Sequence, residues 1–165
     1  MKTVFFLVGN YGVGKSTIIK EPIISNEKLL IEIRDNIFIL GTNICGADSL
    51  SNFKKDYIIN YVKENKDKNI IITGNYYSQI KDIKELSIYF KVILIYLETS
   101  FENNAKRIAL RNKNINIDTY NSKLKSHLSL IKQTKGFRKL HIINNNRNII
   151  EVKKDFYNII EDEKN

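Results

Sequence analysis

The sequence predicts an α/β fold built on a parallel sheet, and three observations carry that prediction. Short, largely apolar, β-rich runs recur at residues 3–8, 70–73, 92–97 and 140–143. Such runs read as strands buried on both faces, as in a parallel sheet covered by helices. Stretches with helical apolar spacing lie between them. The length of 165 residues, with 42% hydrophobic and 27% charged content, fits one globular domain over residues 1–165. A chain of this size buries roughly two-thirds of its unfolded surface.

The elements follow in order. Residues 3–8 (TVFFLV) form the first strand, which enters a glycine-rich loop and then a helix that begins near Lys15 and continues over residues 17–19. Pro22, the lone proline, ends or kinks that helix early. The β-rich runs 29–33 and 37–40 flank Arg34-Asp35-Asn36 and predict a hairpin. Residues 41–48 read as a loop. Ser49 or Ser51 is placed to cap a helix with Phe53, Tyr57, Ile58, Tyr61 and Val62 on one face. Strand 70–73 ends at Gly74 and strand 92–97 at Glu98. Thr99-Ser100-Phe101-Glu102 fits a capping box, with Ala105, Ile108 and Ala109 turned inward. Asp118 is placed to cap a helix carrying Tyr120, Leu124, Leu128 and Ile131. Strand 140–143 ends at an Asn-rich turn, and the last helix buries Ile149, Val152, Phe156 and Ile159 or Ile160.

The composition narrows the function classes. A single cysteine, Cys45, excludes an internal disulfide and fits a reducing, cytoplasmic setting. The longest apolar block, residues 92–97, is far too short to span a bilayer. The apolar residues after Met1-Lys2 run into the glycine-rich loop and read as a strand rather than a leader. The net charge of +9 leaves two readings open. Lysines spread over solvated faces would suit an anionic small substrate, whereas a clustered arrangement would contact a polynucleotide. Salt-dependent retention on DNA separates the two.

The chemistry concentrates at the first loop. Gly9, Asn10, Tyr11, Gly12, Val13, Gly14, Lys15 and Ser16 match G-x-x-x-x-G-K-[ST], the loop that wraps nucleoside-triphosphate phosphates. Glycines let the backbone close around a phosphate with its N–H groups turned inward. The helix start adds its positive end, Lys15 reaches the β- and γ-phosphates, and the Ser16 hydroxyl is a Mg²⁺ ligand. Thr17 continues the binding segment. No Asn-Lys-x-Asp guanine-reading element, Asp-x-x-Gly switch or Leu-Ser-Gly-Gly signature is present; Asn65-Lys66-Asp67-Lys68 fails the first. The chain is also short for a helicase or ring ATPase.

After residues 92–97 come Glu98-Thr99-Ser100-Phe101-Glu102, then Lys106-Arg107 and Arg111. With the phosphate loop, this layout resembles the P-loop kinase superfamily, in its nucleoside/nucleotide kinase-like or polynucleotide kinase-like branch. The resemblance implies a three-layer P-loop NTPase fold with a five-stranded parallel core, helices on both faces, and the hairpin as an extra strand. It implies ATP- and Mg²⁺-dependent transfer of the γ-phosphoryl group to a nucleoside or nucleoside monophosphate. A polynucleotide 5′-hydroxyl or a DNA-base hydroxyl is the alternative acceptor, and a non-kinase nucleotide-binding regulatory protein the alternative class. Arg107 and Arg111, four apart on one helical face, would neutralise the moving group.

One departure stands out. Many such kinases end the third strand in a carboxylate before a glycine, where this chain has Thr73 before Gly74. Asp48 is the best replacement, as orienter and base for the acceptor hydroxyl. Glu98 reads as structural. Tyr76 and Tyr77 follow the same strand and could stack on a base, although packing is the simpler reading. Asn144-Asn145-Asn146-Arg147 lies where the resemblance implies the adenine, so Arg147 is a donor-nucleotide candidate. His127 and His141 lack metal or triad partners at usable spacing and read as structural, and Cys45 as a small core-facing residue.

Overall fold

The structure, a computed structural model, describes residues 1–43 and 46–164. Its centre is a seven-stranded mixed sheet. The strands are β1 (Thr3–Gly9), β2 (Ser25–Glu27), β3 (Leu30–Arg34), β4 (Ile37–Leu40), β5 (Asn69–Thr73), β6 (Lys91–Glu98) and β7 (Lys139–Asn144). They lie in the order β2-β3-β4-β5-β1-β6-β7. The five strands from β4 to β7 are mutually parallel. The antiparallel hairpin extends that core by two strands, β3 and then β2, where the sequence reading placed one. Asn36 makes the turn between β3 and β4 with φ 53°, a conformation Asn tolerates better than most residues.

The helices are α1 (Lys15–Ile18), α2 (Lys55–Glu64), α3 (Ile80–Leu86), α4 (Phe101–Ala109), α5 (Ile117–Gln133) and α6 (Ile149–Glu163). Period-two alternation along β1 divides the core into two layers. Val4, Phe6 and Val8 face Ile58, Val62, Ile83 and Leu86, which places α2 and α3 on one side, with Leu130 of α5 in the same cluster. Phe5 and Leu7 face the cluster of Ile18, Val152, Phe156 and Ile160, which places α1 and α6 on the other. Each of these fully buried side chains stabilises the fold by roughly 1.5–3 kcal/mol through apolar burial.

Several boundaries differ from those the sequence suggests. Helix α2 begins after Lys54 and carries no side-chain cap. Ser49 is occupied elsewhere: its hydroxyl accepts from Thr42 N–H at 2.8 Å and donates to Gly46 O at 2.6 Å within a 3₁₀ turn, Gly46–Leu50. Phe53 and Tyr57 are exposed, and Ile58, Ile59 and Val62 carry the buried face. The cap of α4 is Ser100, which accepts from Asn103 N–H, and its inward residues are Asn104 and Ile108, with Ala109 exposed. Helix α5 is capped by Asn116 rather than Asp118, and it turns His127 inward while Leu128 faces solvent. In α6, Tyr157 joins the buried face and Ile149 does not.

The strand starts are fastened by the last helix. Glu163, buried, pairs with Lys91 at 2.8 Å and with Lys139, and lies 2.9 Å from His141 Nε2. The Thr3 hydroxyl donates to Glu163 O at 2.7 Å. Among the described residues no helix is long and apolar enough to cross a membrane.

Candidate active site

Five parallel strands end on one side of the sheet, and the loops leaving them carry the polar residues singled out above. That is where ligands bind in open α/β sheets. The phosphate loop leaves β1. Gly12 and Gly14 have φ of 75° and 85°, in the left-handed region that side chains disfavour. At Gly12 the space is also filled, since a Cβ there would meet Ile108 Cγ1 at 2.6 Å.

The loop's carbonyls are pinned from behind. Asn104 Nδ2 donates to Tyr11 O at 2.7 Å. Arg107 at 3.2 Å and Asn145 Nδ2 at 2.6 Å both donate to Val13 O. The peptide bonds among the described residues are all trans, so the N–H groups of Gly12 and Gly14 point opposite to those pinned carbonyls. The result is a pair of fixed donors turned toward the mouth of the loop, the arrangement an anion cradle needs. Asn10 joins the same wall by donating to Tyr120 O at 3.2 Å.

Lys15 turns its ammonium back into the loop, donating to Gly9 O and Asn10 O at 3.1 Å each. Burial pulls its pKa down to about 8; Asp48 opposes the shift, and Arg111 and Lys123 add to it. Asp48, Arg111 and Lys123 thus lie within electrostatic reach of the Lys15 ammonium. Ser16 and Thr17 are exposed at the start of α1, with the Ser16 hydroxyl adjacent to the lysine in sequence.

Asp48 sits on the 3₁₀ turn after β4, and its Oδ1 lies over Gly74, 3.7 Å from where a Cβ would stand. Thr73 has a different role from the carboxylate expected at its position. Its hydroxyl accepts from Ala47 N–H at 3.4 Å and faces Gly46 so closely that a Cβ there would approach within 2.5 Å. Thr73 thus holds the turn that carries Asp48, and the carboxylate reaches the end of β5 from the neighbouring loop.

The helical face expected to carry both arginines does not form, because α4 ends at Ala109 and Arg111 lies in the turn beyond it. Arg107 donates to Val13 O and, at 2.6 Å, to Asn145 O, so it bridges the phosphate loop and the β7–α6 turn. Arg111, just past the helix, is the one coupled to Lys15. Arg147 pairs with Asp155 and, at 4.0 Å, with Glu151, both on α6. Tyr76 is exposed beneath Lys55, whose ammonium lies 5.1 Å from its ring centroid, whereas Tyr77 is buried. Cys45 lies outside the described residues.

Four contributors escaped the sequence reading. Asn104 falls three before Arg107 on the same helical face, which was a usable signal; the Asn145 side chain was inside a noted turn but without a role. His127 and Lys123 gave none. His127 Nε2 lies 3.0 Å from Asn75 Oδ1, the residue after Gly74. Burial, with Lys15 and Lys123 nearby, pulls His127 down to about 4, so the imidazole is neutral near pH 7.

A phosphate loop at the head of a 2-3-1-4-5 parallel core, here β4-β5-β1-β6-β7, defines the P-loop kinase fold class. Comparison with solved structures agrees. The chain matches a deoxyadenosine kinase from M. mycoides at TM-score 0.53 and 15% identity, over 96% of this chain and 99% of that one. It matches a gluconokinase from Sinorhizobium meliloti 1021 at TM-score 0.53 and 12% identity, over 98% and 95% of the two chains. It matches a chain of the PezAT chromosomal toxin-antitoxin system of Streptococcus pneumoniae at TM-score 0.60 and 16% identity, over 98% and 87%. At such identities the likeness is one of fold. No known family's sequence profile matches the chain, and no curated protein matches it.

Proposed function

We propose that this protein is an ATP- and Mg²⁺-dependent phosphotransferase that moves the γ-phosphoryl group to a small-molecule acceptor. The observation that carries the reading is the Lys15 ammonium turned into a loop whose amides of Gly12 and Gly14 are fixed as donors, with Asp48 and Arg111 within its electrostatic reach. Gly9 to Thr17 hold the triphosphate, with Lys15 on its terminal phosphates. A bound triphosphate replaces the two backbone carbonyls as Lys15's partner and favours its charged form. The Ser16 hydroxyl, together with phosphate oxygens, suits Mg²⁺, which when bound neutralises phosphate charge.

Asp48 orients the acceptor hydroxyl. The acceptor oxygen forms a bond to the γ-phosphorus while the bond to the β–γ bridging oxygen breaks. ADP leaves with that electron pair, and the hydroxyl proton passes to the Asp48 carboxylate. Arg111 offsets charge on the moving group. Arg107, engaged with Val13 O and Asn145 O, supports the loop and acts through it. Nucleosides and nucleoside monophosphates are the acceptor class the sequence resemblance puts first, and a deoxyadenosine kinase stands among the structures of like fold.

The test is transfer of labelled γ-phosphate from ATP with Mg²⁺. The acceptors are nucleosides, nucleoside monophosphates, 5′-hydroxyl oligonucleotides and small hydroxylated metabolites. Transfer to one class is expected, abolished in Lys15→Ala and slowed about 10²-fold or more in Asp48→Asn with ATP still bound. ATP binding without transfer to any acceptor would instead make this a nucleotide-binding regulatory protein.

A further inference from the structure

A groove of about 550 Å³ runs between the β5–α3 turn and α5. That volume is within the range of small-molecule sites. We propose that this groove holds the phosphoryl acceptor and that the acceptor is a small polyhydroxylated anion, of the sugar-acid or sugar-phosphate type, rather than a nucleobase-bearing molecule. The inference rests on the phosphotransferase reading above and departs from the nucleoside class that the sequence resemblance puts first.

Position is the first argument. The groove begins at Asn75, directly after Gly74, over which the Asp48 carboxylate stands. Lys123 and His127 on its far wall are both electrostatically coupled to Lys15. A molecule in the groove therefore has one end at Asn75, next in the chain to the glycine under the Asp48 carboxylate, and within electrostatic reach of the phosphate-loop lysine.

Lining chemistry is the second. Ser122, Ser126 and Ser129 recur at spacings of four and three along α5, so they share one helical face along the groove. Ser122 and Ser126 make no hydrogen bond among the described residues, which leaves their hydroxyls to a ligand. Gln79 and Asn75 stand across from them with amide groups. Hydroxyls and amides both donate and accept, as a polyol requires.

His127 sets the Asn75 amide. It is 3% exposed, and with Nε2–H donating to Asn75 Oδ1 the amide NH₂ is left to donate to a ligand. Among the described lining residues Lys123 and Lys125 are the only charged ones, so the groove favours an anion. A nucleobase needs a ring or broad apolar face to lie on. Among the described lining residues the imidazole of His127 is the only ring, and it is buried; Ile80 and Leu130 are the only large apolar side chains.

The experiment is steady-state phosphoryl transfer with aldonic acids, sugar phosphates, neutral polyols, nucleosides and nucleoside monophosphates. Wild-type protein is compared with Lys123→Gln and Ser126→Ala, both at exposed positions that folding tolerates. Transfer is expected to a hydroxylated anion. Lys123→Gln should raise its KM about tenfold, the worth of a hydrogen bond to a charged group, and change KM for a neutral polyol about twofold or less. Ser126→Ala should raise KM several-fold for both.

Transfer confined to nucleosides or nucleoside monophosphates would overturn this inference and leave the phosphotransferase reading standing. Transfer to a hydroxylated anion that neither substitution affects would overturn the groove assignment. ATP binding with no transfer to any acceptor would overturn the phosphotransferase reading itself, and this inference with it.

Discussion

Raising the pH above about 8 should weaken nucleotide binding steeply, and the cause lies at Lys15. In the unliganded protein, burial brings that lysine down to about 8, against the opposing pull of Asp48. An exposed lysine titrates near 10.4. A bound triphosphate surrounds the ammonium with anionic oxygens and raises its pKa again. Binding at high pH therefore takes up a proton that the free protein has already released. Affinity should fall by up to about tenfold per pH unit from about 8 until the complex itself begins to titrate.

The stability of the unliganded protein moves the other way. The folded-state pKa of Lys15 lies below its unfolded value, so between about pH 8 and 10.4 the unfolded chain binds more protons. Stability from this group therefore rises with pH in that window. The assay is equilibrium titration with a fluorescent ATP analogue and Mg²⁺ across about pH 6.5 to 10. Asp48→Asn removes the charge that favours the ammonium, so the break should move to lower pH. A wild-type affinity that stays level across this range would refute the assignment of Lys15 to the phosphates, and a break unmoved in Asp48→Asn would refute the Asp48 coupling.

Two further outcomes follow from packing. Gly12→Ala places a methyl group 2.6 Å from Ile108 Cγ1 at φ 75°; it should cost about 1–2 kcal/mol for the backbone alone and weaken ATP binding. Adding Ile108→Ala should relieve the clash but leave the backbone cost, which denaturant unfolding of the single and double variants measures. At Glu163, burial raises the pKa, but Lys139, Lys91 and His141 outweigh it and bring the group down to about 2. Its folded pKa lies below the unfolded value, so its contribution is complete above about pH 4.5 and is lost as pH falls toward 2. Because Lys91 and Lys139 are themselves partly exposed, Glu163→Gln should cost only about 1–2 kcal/mol at neutral pH and flatten the acid limb of thermal stability.

What was legible in the sequence was whatever depends on neighbours along the chain. Residues 9–16 declare a phosphate loop because its glycines, lysine and serine act within one turn of backbone. The central parallel strands are legible because burial on both faces requires an unbroken apolar run, as in residues 70–72 and 92–97. By contrast β7, expected to be buried, lies at the sheet edge and is mostly exposed or half-buried, because no described strand pairs with its outer side. The helix faces were less so. Along α5 the choice between His127 and Leu128 as the buried residue rests on what the helix packs against, and there Asn75 and the Tyr96 ring receive the imidazole.

The remaining decisions belong to tertiary structure. Val13 O is held by Arg107 and Asn145, 94 and 132 residues away, and no local pattern announces such a pairing. Thr73 looked like the loss of a carboxylate. Only the meeting of β5 with the 3₁₀ turn after β4 turns it into the support for Asp48. Arg107 and Arg111 are equivalent in spacing, yet one is drawn into the loop's framework while the other is coupled to Lys15. Covalent neighbours dictate backbone conformation and burial periodicity, whereas the direction a long polar side chain takes is set by the carbonyls and charges that folding brings within its reach.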